Sequence, residues 1–95
     1  GEKNLEAGAL HNIGRYHEAL GQSRKGLAFV EQSAELLREI GERQREGIVR
    51  NTMGVMNYNL GEIQKALDIY NSVLALRREL ADRRGEAYTL INLGR

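Results

Sequence analysis

The side chains of this sequence best suited to bind a metal or attack a carbonyl are two histidines, His11 and His17, and three serines, Ser23, Ser33 and Ser72. On one helix, a separation of six residues turns His11 and His17 about 240° apart, so they cannot share a metal ion. Cysteine is absent, which removes thiolate nucleophiles, disulfides and Cys-ligated zinc together. Hydrolysis needs a nucleophile, a base and an orienting group in one place. None of the serines sits in a nucleophile elbow, and the glycines are spread along the chain instead of clustering into a phosphate-cradling loop. Neither an enzyme nor a cofactor is expected. His17 falls on an apolar stripe and reads as a packed or hydrogen-bonded residue. His11 shares a face with Glu18, with Arg15 between them, and reads as part of a solvated face open to a peptide contact.

Charge excludes further classes. Fourteen Lys and Arg against thirteen Asp and Glu leave a net charge of +1, too small a field to draw the chain to phosphate backbones or anionic lipid. Nucleic acid is not expected as a partner. A membrane is not expected either, because no apolar run approaches the roughly 20 residues that span a bilayer, and residues 1–10 lack a signal-peptide core. A soluble, cytoplasmic protein is the expectation. Apolar residues at 41% and charged residues at 28% support a packed core. The run from Arg38 to Glu46 and its echo from Arg77 to Glu86 mix signs at helical spacing, which reads as a wet face. Within the echo, Arg77, Arg78, Arg83 and Arg84 form a basic spot able to meet an acidic partner.

The elements that position these residues follow from an internal repeat. When residues 41–80 are written under residues 1–40, eleven positions are identical, among them Gly14/Gly54, Leu20/Leu60, Gly21/Gly61, Leu27/Leu67 and Arg38/Arg78. The pattern begins again with Glu86 and Gly94, each forty residues after its counterpart, Glu46 and Gly54. One domain over residues 1–95 is expected, with repeats at 1–40 and 41–80 and a partial repeat at 81–95.

Within each repeat the apolar spacing is helical. Leu10, Ile13, His17 and Leu20 make one stripe, and Val49, Met53, Met56 and Leu60 make its counterpart. The second segment carries two adjacent stripes, Leu27, Val30, Ala34, Leu37 beside Phe29, Ser33, Leu36, Ile40. A face that wide must be covered from two sides. Five helices are predicted, at 3–20, 24–40, 43–60, 63–80 and 83–94. Gly21, Gly41 and Gly61 supply left-handed helix ends, and Ser23 and Asp82 are read as N-caps. Gly14, Gly54 and Gly94 sit inside the first helices at one register, where each costs about 1 kcal/mol relative to Ala. Close approach of the second helix is the expected compensation.

NIG at 12–14, TMG at 52–54 and NLG at 92–94, with LG closing the first helix of both complete repeats, resemble the tetratricopeptide repeat. Gly26-Leu27, Ala66-Leu67 and the aromatic Tyr70 of the second helices match it as well. The forty-residue period and the phrases LLREIGERQREG and LRRELADRRGEA look like the longer subtype. That subtype occurs in kinesin-light-chain-like proteins and in bacterial chains with caspase-like or STAND domains. The sequence departs from the family pattern in having His17 and Asn57 where a Tyr is usual, and Arg50 where a Trp or Leu is usual. Arg38 and Arg78 stand at the place of the Pro that often ends the shorter repeat.

The resemblance implies an all-α fold, an antiparallel helix-pair solenoid wound as a right-handed superhelix. Its first helices would line a concave groove that holds a peptide or helix of a partner protein. By matching registers the groove residues are His11, Asn12, Arg15, Glu18, Asn51, Val55, Tyr58, Asn59, Tyr88, Asn92 and Arg95. The Lys/Arg-rich clamp that some relatives use for the C-terminal carboxylate of heat-shock chaperones is not reproduced, so that ligand is not expected. The alternative reading is a structural spacer or self-association element of a longer protein. Leu90, Ile91 and Leu93 have one side to pack on, and homodimerisation through exposed repeat ends follows from that.

Overall fold

A computed structural model of the 95-residue chain describes residues 1–94. Five helices follow one another: α1 (Glu2–Ala19), α2 (Ser23–Glu39), α3 (Arg43–Asn59), α4 (Ile63–Glu79) and α5 (Arg83–Leu93). Each packs on its neighbours in the chain, and no strand occurs among the described residues. The architecture is an all-α helical repeat solenoid, with principal extents of 33 × 28 × 17 Å.

The four connections share one design. Gly21, Gly41 and Gly61 have φ of 77°, 75° and 79°, and the residue after each donates its N–H five residues back, to His17, Leu37 and Asn57. This is the Schellman closure, which needs a left-handed residue just past the helix. At the fourth place Ala81 takes φ of 56°, and Asp82 N–H donates to the Arg77 carbonyl at 2.8 Å. Asp82 then caps α5 by accepting from Gly85 N–H at 3.0 Å. Ser23 is no cap: α2 begins on it, the N-cap is Gln22, and the Gln22 side chain is hydrogen-bonded to His17 Nδ1 at 2.8 Å.

The core runs between the helix pairs. Ala7, Val30, Ala34, Leu37, Val49 and Met56 are buried together, with Leu27, Leu36 and Met53 packed against them. In the second repeat, Ala66, Tyr70, Val73, Leu74 and Leu76 are buried. The helix pairs close on glycines. A Cβ on Gly14 would strike Val30 and stand 2.7 Å from the Gly26 carbonyl oxygen, while one on Gly54 would stand 2.5 Å from the Tyr70 ring. Gly94 does not repeat this. It is the C-cap of α5, and a Cβ there would meet only carbonyl oxygens of its own turn at 3.5 Å. No helix follows it among the described residues to make the approach.

The expected stripe of α1 is only half used. Ile13 and Leu20 are exposed, and the buried residues of α1 are Ala7 and Gly14. The equivalent Met53 and Leu60 of α3 are half-buried because α2 packs against α3. No helix among the described residues packs on that side of α1. His17 is held in place, its ring stacked on Phe29 with centroids 5.5 Å apart.

Candidate functional site

The first helices of the repeats, α1, α3 and α5, lie side by side. His11 Nε2 is 3.1 Å from Thr52 Oγ1, Asn59 Nδ2 donates to Glu18 Oε1 at 2.7 Å, and Asn92 Nδ2 donates to Asn51 Oδ1 at 3.2 Å. Each of these pairs is separated by 41 residues, one more than the repeat, so successive first helices are staggered by one position. On α1, residues 11, 15 and 18 share a face, as do 48, 52 and 55 on α3.

These faces enclose a crevice of about 490 Å³. α1 lines it with His11, Arg15, Glu18 and Ala19, α3 with Ile48, Asn51, Thr52, Val55 and Met56, and α5 with Tyr88. Arg77 reaches it from α4. Burial, and then the charges of Arg15 and Arg45, hold the His11 pKa below its ordinary value, so the ring is neutral at pH 7. Glu18 Oε2 is buried and accepts no hydrogen bond from the described residues.

Of the expected groove residues, His11, Arg15, Glu18, Asn51, Val55 and Tyr88 line this crevice. Asn51 and Asn92 are both buried, and the Asn92 Nδ2 donates to the Asn51 Oδ1 across the α3–α5 contact. The bond uses the Asn92 Nδ2 and the Asn51 Oδ1, so what remains for a ligand is the Asn51 Nδ2 and the Asn92 Oδ1. Asn12 lies in a separate depression with Leu5, Gly8 and Arg45. Asn59 is exposed and spends its amide on Glu18. Tyr58 is exposed and lies outside the crevice lining. Arg95 lies outside the described residues.

One residue of the site was misread in the sequence. Arg77, expected on a wet charged face with Arg78, is 6% exposed. Its Nη1 donates to the Gly85 carbonyl at 2.6 Å and to Thr89 Oγ1 at 2.9 Å. Gly47 and Gly85 flank the side chain: a Cβ on Gly85 would stand 2.6 Å from Arg77 Cδ, and one on Gly47 3.8 Å from Nε. The signal was present in the repeat, because the residue forty positions earlier is Leu37, which is fully buried. Charge composition concealed it. Arg78 does lie on the surface, paired with Glu86 at 2.6 Å.

Among the described residues, no group of three or more His, Asp or Glu side chains is placed to hold a metal ion. Among the same residues no helix is long and apolar enough to cross a membrane. No curated protein matches the chain. The model of one family, the tetratricopeptide repeat, matches residues 5–79, which take in α2, α3, α4 and most of α1. With that match over most of its length and with helix pairs stacked at a forty-residue period, the chain belongs to the tetratricopeptide repeat family.

Proposed function

We propose that the chain is a protein–protein interaction scaffold that holds a peptide or helix of a partner in the concave groove lined by α1, α3 and α5. Tetratricopeptide repeats generally mediate protein–protein interaction and form a non-enzymatic scaffold family. The observation that carries the groove reading is the crevice itself, lined almost wholly by first helices and edged by the half-exposed ring of Tyr88. Glu18 Oε2 adds a buried acceptor with no partner among the described residues, a position that a backbone N–H of a bound chain would satisfy. The forty-residue period favours the longer repeat subtype. Val55→Trp fills the crevice from its wall. A peptide selected on the chain from a random library should lose binding to that variant while the circular dichroism stays helical. Unchanged binding would refute the groove.

A second reading, self-association through the repeat ends, has its own support. Ile91 is 61% exposed, and Ala87 beside it on α5 is exposed where the equivalent Ala7 and Gly47 are buried by second helices. Light scattering over a wide concentration range tests it: growth of mass with concentration supports end-to-end association, and a constant monomer mass removes it.

A further inference from the structure

α1 carries an apolar seam on the side away from the groove. Leu5, Ala9, Ile13, Tyr16 and Leu20 fall within an arc of about 80° on the helix, and the crevice residues His11, Arg15 and Glu18 lie on another face. All five are exposed, Leu5 at 78% and Tyr16 at 63%. The Tyr16 ring stands edge-on to His17 with centroids 5.7 Å apart. The same register is covered in the later repeats. Val49 and Met56 of α3, equivalent to Ala9 and Tyr16, are buried in the core against the first helix pair, and Thr89 of α5 is fully buried. This register is a stacking face, and on α1 no helix among the described residues lies against it.

The seam is complementary to itself when reversed. With Leu5 set against Leu20 of a second copy, Ala9 falls opposite Tyr16, a small residue opposite a large one, and Ile13 comes to the two-fold axis. Charge selects the direction. Glu2 and Glu6, in the first two turns of α1, make no ion pair among the described residues. Arg24 and Lys25 lie in the first turn of α2, just past the other end of α1, and Arg24 reaches only Glu62, at 4.0 Å. Antiparallel helices bring the acidic turns of one copy beside Arg24 and Lys25 of the other, whereas parallel helices would stack Glu2 and Glu6 on their own copies.

From this geometry we infer that the seam of α1 is a dimer interface for a second copy of this chain, joined antiparallel about a two-fold axis near Ile13. This rests on the self-association reading and names its face and its symmetry. An isologous contact uses the same patch on both copies and closes at two, so it yields a dimer where an end-to-end contact would yield a growing chain of molecules. A single helix from each copy makes a small interface, with a dissociation constant on the order of micromolar. The groove face of α1 stays open in the dimer.

The chain has no cysteine, so single introduced cysteines report the seam without background. Leu5→Cys and Leu20→Cys chains, mixed and oxidised, should give mainly the mixed disulfide. The antiparallel seam joins these two positions and holds Leu5 of the two copies about 22 Å apart. Light scattering on the parent should show a mass that rises with concentration and stops at twice that of the chain. Tyr16→Glu should weaken the dimer about tenfold or more while the circular dichroism stays helical, and Leu5→Lys should do the same. Ile91→Glu on α5 should leave it intact. A dimer that survives both α1 variants and is lost on Ile91→Glu refutes the seam and leaves self-association standing through α5. Ready cross-linking of Leu5→Cys to itself overturns the antiparallel register, and a mass that climbs past two chains overturns the closed dimer. A monomer at every concentration refutes the seam and the self-association reading together.

Discussion

Gly14 and Gly26 face each other where α1 crosses α2. The carbonyl oxygen of Gly26 lies 2.7 Å from where a Cβ on Gly14 would stand, and that of Gly14 lies 2.5 Å from where one on Gly26 would stand. Backbone cannot yield as a side chain can. Gly14→Ala should therefore destabilise the chain despite gaining about 1 kcal/mol of helix propensity, because overpacking costs about 1–3 kcal/mol. A net loss of about 1 kcal/mol is expected in urea unfolding. Gly94→Ala, with no helix against it, should stay within about 0.5 kcal/mol of the parent.

Ala81 offers the opposite opportunity. It alone among the four left-handed turn residues carries a Cβ, at φ of 56°. The left-handed conformation costs an L-residue roughly 1–2 kcal/mol, partly offset because Gly loses more entropy on folding. Ala81→Gly should raise stability by about 0.5 kcal/mol, read as a higher urea midpoint at unchanged slope. A lower midpoint would show that the turn is not strained.

The Asn51–Asn92 bond ties α5 to α3 in a buried setting. Asn92→Ala alone leaves the Asn51 amide without its partner and should cost about 1–3 kcal/mol. Asn51→Ala with Asn92→Ala should cost less than the two single losses added together. A double-mutant cycle measures this coupling, and strict additivity would mean that the two amides do not interact.

Acid should weaken the fold through His11. Its pKa is lowered in the folded chain, chiefly by burial, so the unfolded chain takes up the proton first as pH falls below the ordinary histidine value of 6.5. Stability is full above that value and declines as pH drops toward the folded pKa. His11→Gln can still bond to Thr52 and has no proton to take up. Its Tm should fall less than that of the parent between pH 7 and about pH 5. Equal losses would show that other groups carry the acid dependence.

Helix number, order and boundaries were legible because glycine and apolar spacing repeat in register. The four turns at residues 21, 41, 61 and 81 could be read from three glycines and the Asp82 cap. Burial was harder to read. A stripe such as Leu10, Ile13 and Leu20 looks the same in sequence whether or not another helix packs on it, and among the described residues α3 has α2 on that side while α1 has no helix there. Of the residues that matching registers assign to the proposed groove, His11, Arg15, Glu18, Val55 and Tyr88 line one crevice. The method failed where one residue pairs with another, as Asn51 does with Asn92, because registers say which face a side chain occupies and not what it bonds. Arg77 was missed because its type outweighed its register.

The central claim is that the crevice between the first helices is where a partner lies. Titrating a library-selected peptide into the isotope-labelled chain, and following each backbone amide by NMR, tests it residue by residue. The account predicts shifts clustered at Arg15, Thr52, Val55 and Tyr88, with α2 and the outer face of α4 unmoved. Shifts gathered instead on Ile13 and Leu20 of α1 or on Ala87 and Ile91 of α5 would contradict it, placing the binding surface at the repeat ends.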